Sequence, residues 1–253
     1  MSKKIVIYQE WGGLGDNLAH STIPRLCEKY GYDCYLSKYN KFNNDETYEL
    51  LFKDIPFIDE KDMSWLDRYT PQKNKEWNHL RSIQIGYGFN EAPYSYPFIN
   101  YTPKFNKELK DKTLVDLSGT HYFTFFKQYF SKEHILNVYN RILSLDKFAN
   151  ILQVEKNNYN DIGSVYITNE KYKINSLFDY CDALYSCKNF ITVDSGQSNL
   201  ASGIKHQFNT KTNIYTIGLQ KNLPPNNYDS YFYLNTNHIA IDTGIMHKAV
   251  DSQ

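Results

Sequence analysis

Residues 4 to 8, Lys-Ile-Val-Ile-Tyr, run apolar and β-branched with no polar alternation. A strand written this way is covered on both faces, as in a parallel sheet flanked by helices. A tight loop follows, Gly12-Gly13-Leu14-Gly15-Asp16-Asn17. Beyond it, residues 16 to 31 read as a helix with Leu18, Ile23, Leu26 and Cys27 on one side and Gly31 as its C-terminal stop. Pro24 interrupts that helix, so a kink or a break into two short helices is expected there. Residues 32 to 37 read as a second strand. A β-loop-α-β opening belongs to a doubly wound α/β fold.

The pattern weakens from about residue 40 to 110, where short aromatic clusters are broken by Pro, Gly and Asn. A helix is expected over 46–54, with short strands near 57–60 and 82–88. Residues 103 to 112 turn charged and linker-like, which predicts two lobes, 1–110 and 111–253. The second half is more regular. Strands are expected at 113–119, 163–169, 189–196 and 213–219, with helices over 131–145 (opened by Ser131), 175–187 and 198–205. Strands alternating with helices of this length imply parallel βαβ units.

Composition narrows the function classes. Lys plus Arg equals Asp plus Glu at 28 each, so no global field recruits nucleic acid or an anionic membrane. No window approaches the roughly 18 apolar residues of a membrane span, and the N-terminal apolar run is short for a signal peptide. Cys27, Cys34, Cys181 and Cys187 lack the CxxC spacing of zinc or redox sites, which predicts buried free thiols and a cytoplasmic location.

Two strand-turn-helix stretches are placed to do chemistry. The first is the opening loop, at the carboxyl end of its strand, where open α/β sheets bind ligands. It fits neither G-x-G-x-x-G nor the P-loop pattern. It places Asp16 at a helix N-terminus, where the dipole favours an ionised acid; Asp16 is therefore either a helix cap or a functional carboxylate. The second is 190–205, where Ser195, Gly196 and Ser198 supply N–H groups and hydroxyls suited to phosphate oxygens. Asp194 there is able to order the loop or reach a sugar hydroxyl, or the turn is a plain Asp-Ser-Gly.

Three stretches, in order, resemble the ADP-heptose transferase family of lipopolysaccharide synthesis, glycosyltransferases of the two-Rossmann GT-B type. "GGLGDNLAHSTIPRL" is similar to the family's N-terminal loop, and the resemblance assigns the general base to Asp16, with Gly13, Gly15 and Asn17 beside the donor. "LVDLSGTHYFT" resembles the turn facing the donor phosphates and offers Ser118, Gly119, Thr120 and His121. "CDALYSCKNFITVDSGQSNLASGIK" is similar to the donor-site strand-turn-helix, which implies donor contacts from Asp194, Ser195, Gly196, Gln197, Ser198 and Asn199. The chain departs from the family in carrying Asn199 where His is usual, in a shorter N-terminal lobe, and in lacking a Lys/Arg pattern after Gly119.

The implied activity is metal-independent transfer of a sugar from a nucleotide-diphosphate donor to a hydroxyl of a glycan, lipid-linked saccharide or modified nucleobase, with no other cofactor. The glycines are expected to let the donor approach Asp16. Tyr8, Trp11 and residues 87–101 form either an acceptor platform or plain core, and His20 either orients Asp16 or is structural. Competing readings are a nucleotide-binding sensor or sequestering factor without turnover, and an epimerase or hydrolase of the same fold. A second DTG-x-x-H element, Asp242, Thr243, Gly244 and His247, sits close to the C-terminal end of the sequence, and its preceding strand and helix are expected to be missing.

Overall fold

A computed structural model of the chain describes residues 2–9, 12–42, 44–59, 79–91, 94–118, 137, 140–145, 147–156, 168–219 and 235–241. The opening run forms β1 (Lys4–Ile7), whose last three residues are buried. It pairs in parallel with β2 (Asp33–Ser37), which pairs with β3 (Phe57–Ile58). Between β1 and β2 the chain makes two helices, α1 (Leu14–His20) and α2 (Ile23–Tyr30). The break falls where Pro24 predicts it: proline sits in the first turn of α2, where its missing N–H is not needed. Gly31 closes α2 at φ 67° with its N–H bonded to the last turn. α3 (Asp45–Leu51) is capped by Asn44, whose side chain accepts from Thr47 N at 3.0 Å.

The strand expected over 82–88 is instead part of helix α4 (His79–Gly86). Ile83, Ile85 and Tyr87 alternate like a strand, but the buried positions are 80, 83, 84 and 87, which is a helix face. Gln84 on that face donates Nε2 to Thr22 Oγ1 at 2.7 Å.

Among the described residues the second sheet has six parallel strands: β4 (Thr113–Asp116), β5 (Ile151–Lys156), β6 (Lys171–Ile174), β7 (Asn189–Val193), β8 (Asn213–Leu219) and β9 (Asn237–Ile241). Their spatial order is β6-β5-β4-β7-β8-β9, the doubly wound order that reverses direction between β4 and β7. α5 (Leu177–Ser186) starts at Ser176, whose Oγ accepts from Asp179 N at 2.9 Å, and α6 (Gly196–Phe208) ends on Asn209 at φ 51°. Both helices and the strand at 213–219 fall where the periodicity puts them.

The sequence pattern does not reveal β5 and β6. The strand expected at 163–169 lies outside the described residues except for 168 and 169, which are not in a strand, and the helix over 131–145 lies outside them except for 137 and 140–145, of which 137 and 140–143 are helical. β9 corrects another expectation: a strand does precede Asp242, paired in register with β8, while 242–247 themselves lie outside the described residues.

The two sheets are joined by more than the chain. Leu177 N donates to Glu46 Oε2 at 2.8 Å. Ile99 exchanges two bonds with the Gln207 amide, and Lys104 N donates to Asp182. Segment 97–106 thus runs along α5 and α6. It places Ile99, with Tyr87 and Phe89, in the core, and Tyr101 donates its hydroxyl to Asp182 at 3.1 Å. These residues are therefore not an open platform. Tyr8 is exposed, and Trp11 lies outside the described residues.

Candidate active site

β1 delivers its loop to the carboxyl edge of the first sheet. Gly12 adopts φ 73°, and a Cβ there would sit 3.1 Å from Lys41 Cβ, so the loop lies flush against the segment after β2. Three bonds hold it: Lys41 N to Gln9 O at 3.0 Å, Gln9 N to Asn40 Oδ1 at 2.6 Å, and Asn17 Nδ2 to Lys41 O at 3.3 Å. Asn17 Nδ2 also donates to Gly13 O at 3.0 Å, so its amide braces the loop from a buried position.

Gly13 is the N-cap of α1 and supplies no side-chain cap. The Asp16 carboxylate folds back toward it; a Cβ on Gly13 would lie 2.5 Å from Asp16 Oδ2. Glycine at 13 therefore clears the space that the acid occupies in the first helical turn. His20 Nδ1 donates to the Asp16 backbone oxygen at 2.8 Å. Burial lowers the His20 pKa to about 4 despite that bond, with nearby His79 adding to the effect. His20 is therefore neutral at pH 7.

The second loop leaves β7 at the switch point. Ser195 is the N-cap of α6, its N–H donating to Ser198 Oγ at 3.2 Å, while Ser198 Oγ donates to Ser195 O at 2.7 Å. The Ser195 hydroxyl lies 3.1 Å from Val193 O and against the Gln197 side chain. Gln197 Nε2 in turn reaches Ser118 Oγ at 3.4 Å, so the turns after β4 and β7 are linked. Asp194 is half-buried in the turn. Gly119, Thr120 and His121 lie outside the described residues.

The two loops meet. A Cβ on Gly196 would fall 2.7 Å from Gly15 N, and one on Gly15 would fall 3.3 Å from Gly196 Cα and 3.1 Å from Asn199 Nδ2. The N-terminal ends of α1 and α6 therefore touch backbone to backbone. The space a Cβ at Gly15 would take is filled by α6. Asn199 is fully buried at the contact, and its amide finds no hydrogen-bond partner among the described residues.

Beneath the Ser118 turn lies a cluster that the sequence does not single out. Asp116, at the end of β4 and 2% exposed, accepts from Tyr180 OH at 2.6 Å, from Ser118 N at 3.1 Å and from Ser118 Oγ, and pairs with Lys156 Nζ at 2.6 Å. Burial alone would raise its pKa, but the Lys156 ammonium and the hydrogen bonds more than offset this and hold it below the usual carboxylate value. Among the described residues no group of three or more His, Cys, Asp or Glu side chains is placed to hold a metal ion, and no helix is long and apolar enough to cross a membrane.

No protein-family model matches the chain, and no curated protein sequence matches it. Solved structures do. The iron-containing dodecameric glycosyltransferase TibC from enterotoxigenic E. coli superposes with TM-score 0.56 at 14% identity over 93% of this chain. The chain spans 63% of TibC's length. A glycosyl transferase family 9 protein from Veillonella parvula gives TM-score 0.56 at 12% identity, covering 99% of this chain and 88% of that one. The ADP-heptose LPS heptosyltransferase II of E. coli gives 0.50 at 12% identity over 94% and 90%. With its two parallel sheets facing each other through α1 and α6, the chain shares the GT-B-like fold of these glycosyltransferases.

Proposed function

We propose that this chain transfers a sugar from a nucleoside diphosphate donor to a hydroxyl acceptor, with Asp16 as general base. The observation that carries the reading is the meeting of the two strand-turn-helix units, which brings the Asp16 turn against the α6 N-terminus at the switch point of the second sheet. TibC is known in complex with ADP-D-β-D-heptose, which supports a nucleotide-sugar donor. Residues 111–253 form the donor lobe in this reading and 1–110 the acceptor lobe.

The acceptor O–H attacks the anomeric carbon as its bond to the diphosphate oxygen breaks. The proton passes to the Asp16 carboxylate, and the nucleoside diphosphate departs with the bonding pair. The N–H groups at the start of α6, with Ser118, Gly119, Thr120 and His121, stabilise that departing charge, so a divalent ion is not required. The acceptor is a glycan, a lipid-linked saccharide or a modified nucleobase. The free thiols of Cys27, Cys34, Cys181 and Cys187, three of them buried, suit a cytoplasmic protein.

One observation favours a second reading. The closed contact of Gly15 with Gly196, over a buried Asn199, suits a protein that binds a nucleotide without turnover. Nucleotide release from a panel of ADP-, UDP-, GDP-, CMP- and dTDP-sugars separates the two. Release with one donor supports the transferase, and binding without release supports a sensor or sequestering factor. An epimerase or hydrolase is recognised by product formation that needs no acceptor.

A further inference from the structure

We infer that a cleft in the first lobe, between α2, the end of α3 and segment 98–100, binds a small organic carboxylate with an apolar body, apart from the two strand-turn-helix loops. The cleft has a volume of about 400 Å³, within the range of small-molecule sites. Leu51, Ile55, Cys34 and Phe98 form much of its wall, and Arg25 and Lys53 line it as well. Cys34 is the second residue of β2, and Lys53 and Ile55 shortly precede β3. The cleft therefore lies at the amino ends of these parallel strands, whereas the Asp16 loop leaves β1 at its carboxyl end. It is a second place on the molecule, and its reading does not depend on the donor site.

The cations are set for an oxyanion. The Arg25 guanidinium carbon lies 3.2 Å from the centroid of the Phe98 ring, a stacking distance that leaves the N–H edge of the fork open to a carboxylate. Phe98 is fixed in turn, because its N–H donates to Ser21 Oγ at 2.7 Å. Asn100 N donates to Leu50 O at 2.8 Å, which ties the same segment to α3. Among the described residues neither Arg25 nor Lys53 forms an ion pair, and the acid lining the cleft is Glu28, so two cations face one acid. The Cys34 thiol adds no opposing charge: hydrogen bonding with Cys27 and burial push its pKa up and keep it neutral. Arg25 and Lys53 are exposed, so a bare anion on them is screened by salt and held weakly. Burying an apolar body against Leu51 and Ile55 supplies the rest, and the combination is what the cleft selects. An occupant touches α2, which continues from the helix of Asp16, and the segment that Ile99 ties to Gln207 of α6. It therefore braces one lobe against the other.

The test is isothermal titration of the full chain with phenylacetate and hexanoate. Their neutral counterparts, 2-phenylethanol and 1-hexanol, keep the body without the charge, and acetate keeps the charge without the body. The carboxylate that wild type binds best should bind about tenfold or more tightly than its neutral counterpart and than acetate. Arg25→Gln and Lys53→Gln should each weaken it about threefold or more, and the double variant about tenfold or more. Both side chains are exposed, so these variants keep the fold. No binding of either carboxylate up to about 10 mM overturns the inference. So does equal affinity for the neutral counterpart or for acetate, and so does a double variant that binds like wild type. The titrations contain no nucleotide, so their outcome stands whether or not the donor-site reading does.

Discussion

The units β1-α1 and β7-α6 are built alike and prepared for opposite charges. Each runs from a buried strand through a tight turn into a helix at the carboxyl edge of a parallel sheet. In α6 the first turn contains no acid, and the turn is closed by the hydroxyls of Ser195 and Ser198. The helix is 13 residues long, and its N-terminal end favours an anion from outside. In α1 the cap is a glycine, the helix has seven residues, and its N-terminal end already holds the Asp16 carboxylate. One residue thus decides whether such a turn receives negative charge or supplies it. Because Gly15 and Gly196 let the two turns touch, the Asp16 turn and the α6 N-terminus are neighbours instead of remote features of separate lobes.

The units also differ in their response to acid. His20 is buried in α1, and its folded-state pKa of about 4 lies below the unfolded value of about 6.5. Its contribution to stability is therefore complete above pH 6.5 and is lost as pH falls toward 4, a total of about 3 kcal/mol. Asp116 in the second lobe is held below 3.8, so its contribution persists until pH falls below that value. Urea midpoints measured from pH 7.5 to 4.5 should fall steadily for wild type, and His20→Gln should flatten the slope. A wild-type midpoint that does not move over this range contradicts the assignment of His20 as a neutral buried ring.

The next largest effect is steric. Gly196→Ala places a methyl 2.7 Å from Gly15 N and should destabilise the chain by about 1 to 3 kcal/mol by forcing the helix tips apart. Gly15→Ala meets its neighbours at 3.1 Å or more and should cost less. Chemical denaturation of the two variants checks the ranking; an equal or reversed ranking shows that the backbone contact is not tight. Smaller again, Ser176→Ala removes the α5 cap and should lower stability by about 1 kcal/mol without changing nucleotide binding, since α5 does not supply the turns proposed to hold the donor.

The strand-turn-helix units were legible in the sequence because their signals are local: an apolar run, small turn residues, then helical spacing. The break at Pro24 and the stop at Gly31 are of the same kind. α4 was misread because Ile83 and Ile85 alternate over a few residues, and only Leu80 and Tyr87 reveal the helical period. β6 escaped because Lys171 and Lys173 face solvent on a sheet edge, where a strand needs few apolar residues. The tertiary features were not legible at all. Gly15 and Gly196 lie far apart in the sequence, and nothing in their local pattern shows that they pack on each other. Lys156 could not be paired with Asp116 without first recognising β5 as a strand.

The proposed function divides the labour, with the donor held at the α6 turn and the chemistry done at the α1 turn. The direct measurement is nucleoside diphosphate affinity and nucleotide release in the same two variants. Ser195→Trp should lose binding and, with it, release. Asp16→Asn should keep the wild-type affinity while release falls by about 100-fold to 10,000-fold. Undiminished release by Asp16→Asn, or wild-type binding by Ser195→Trp, would contradict the account.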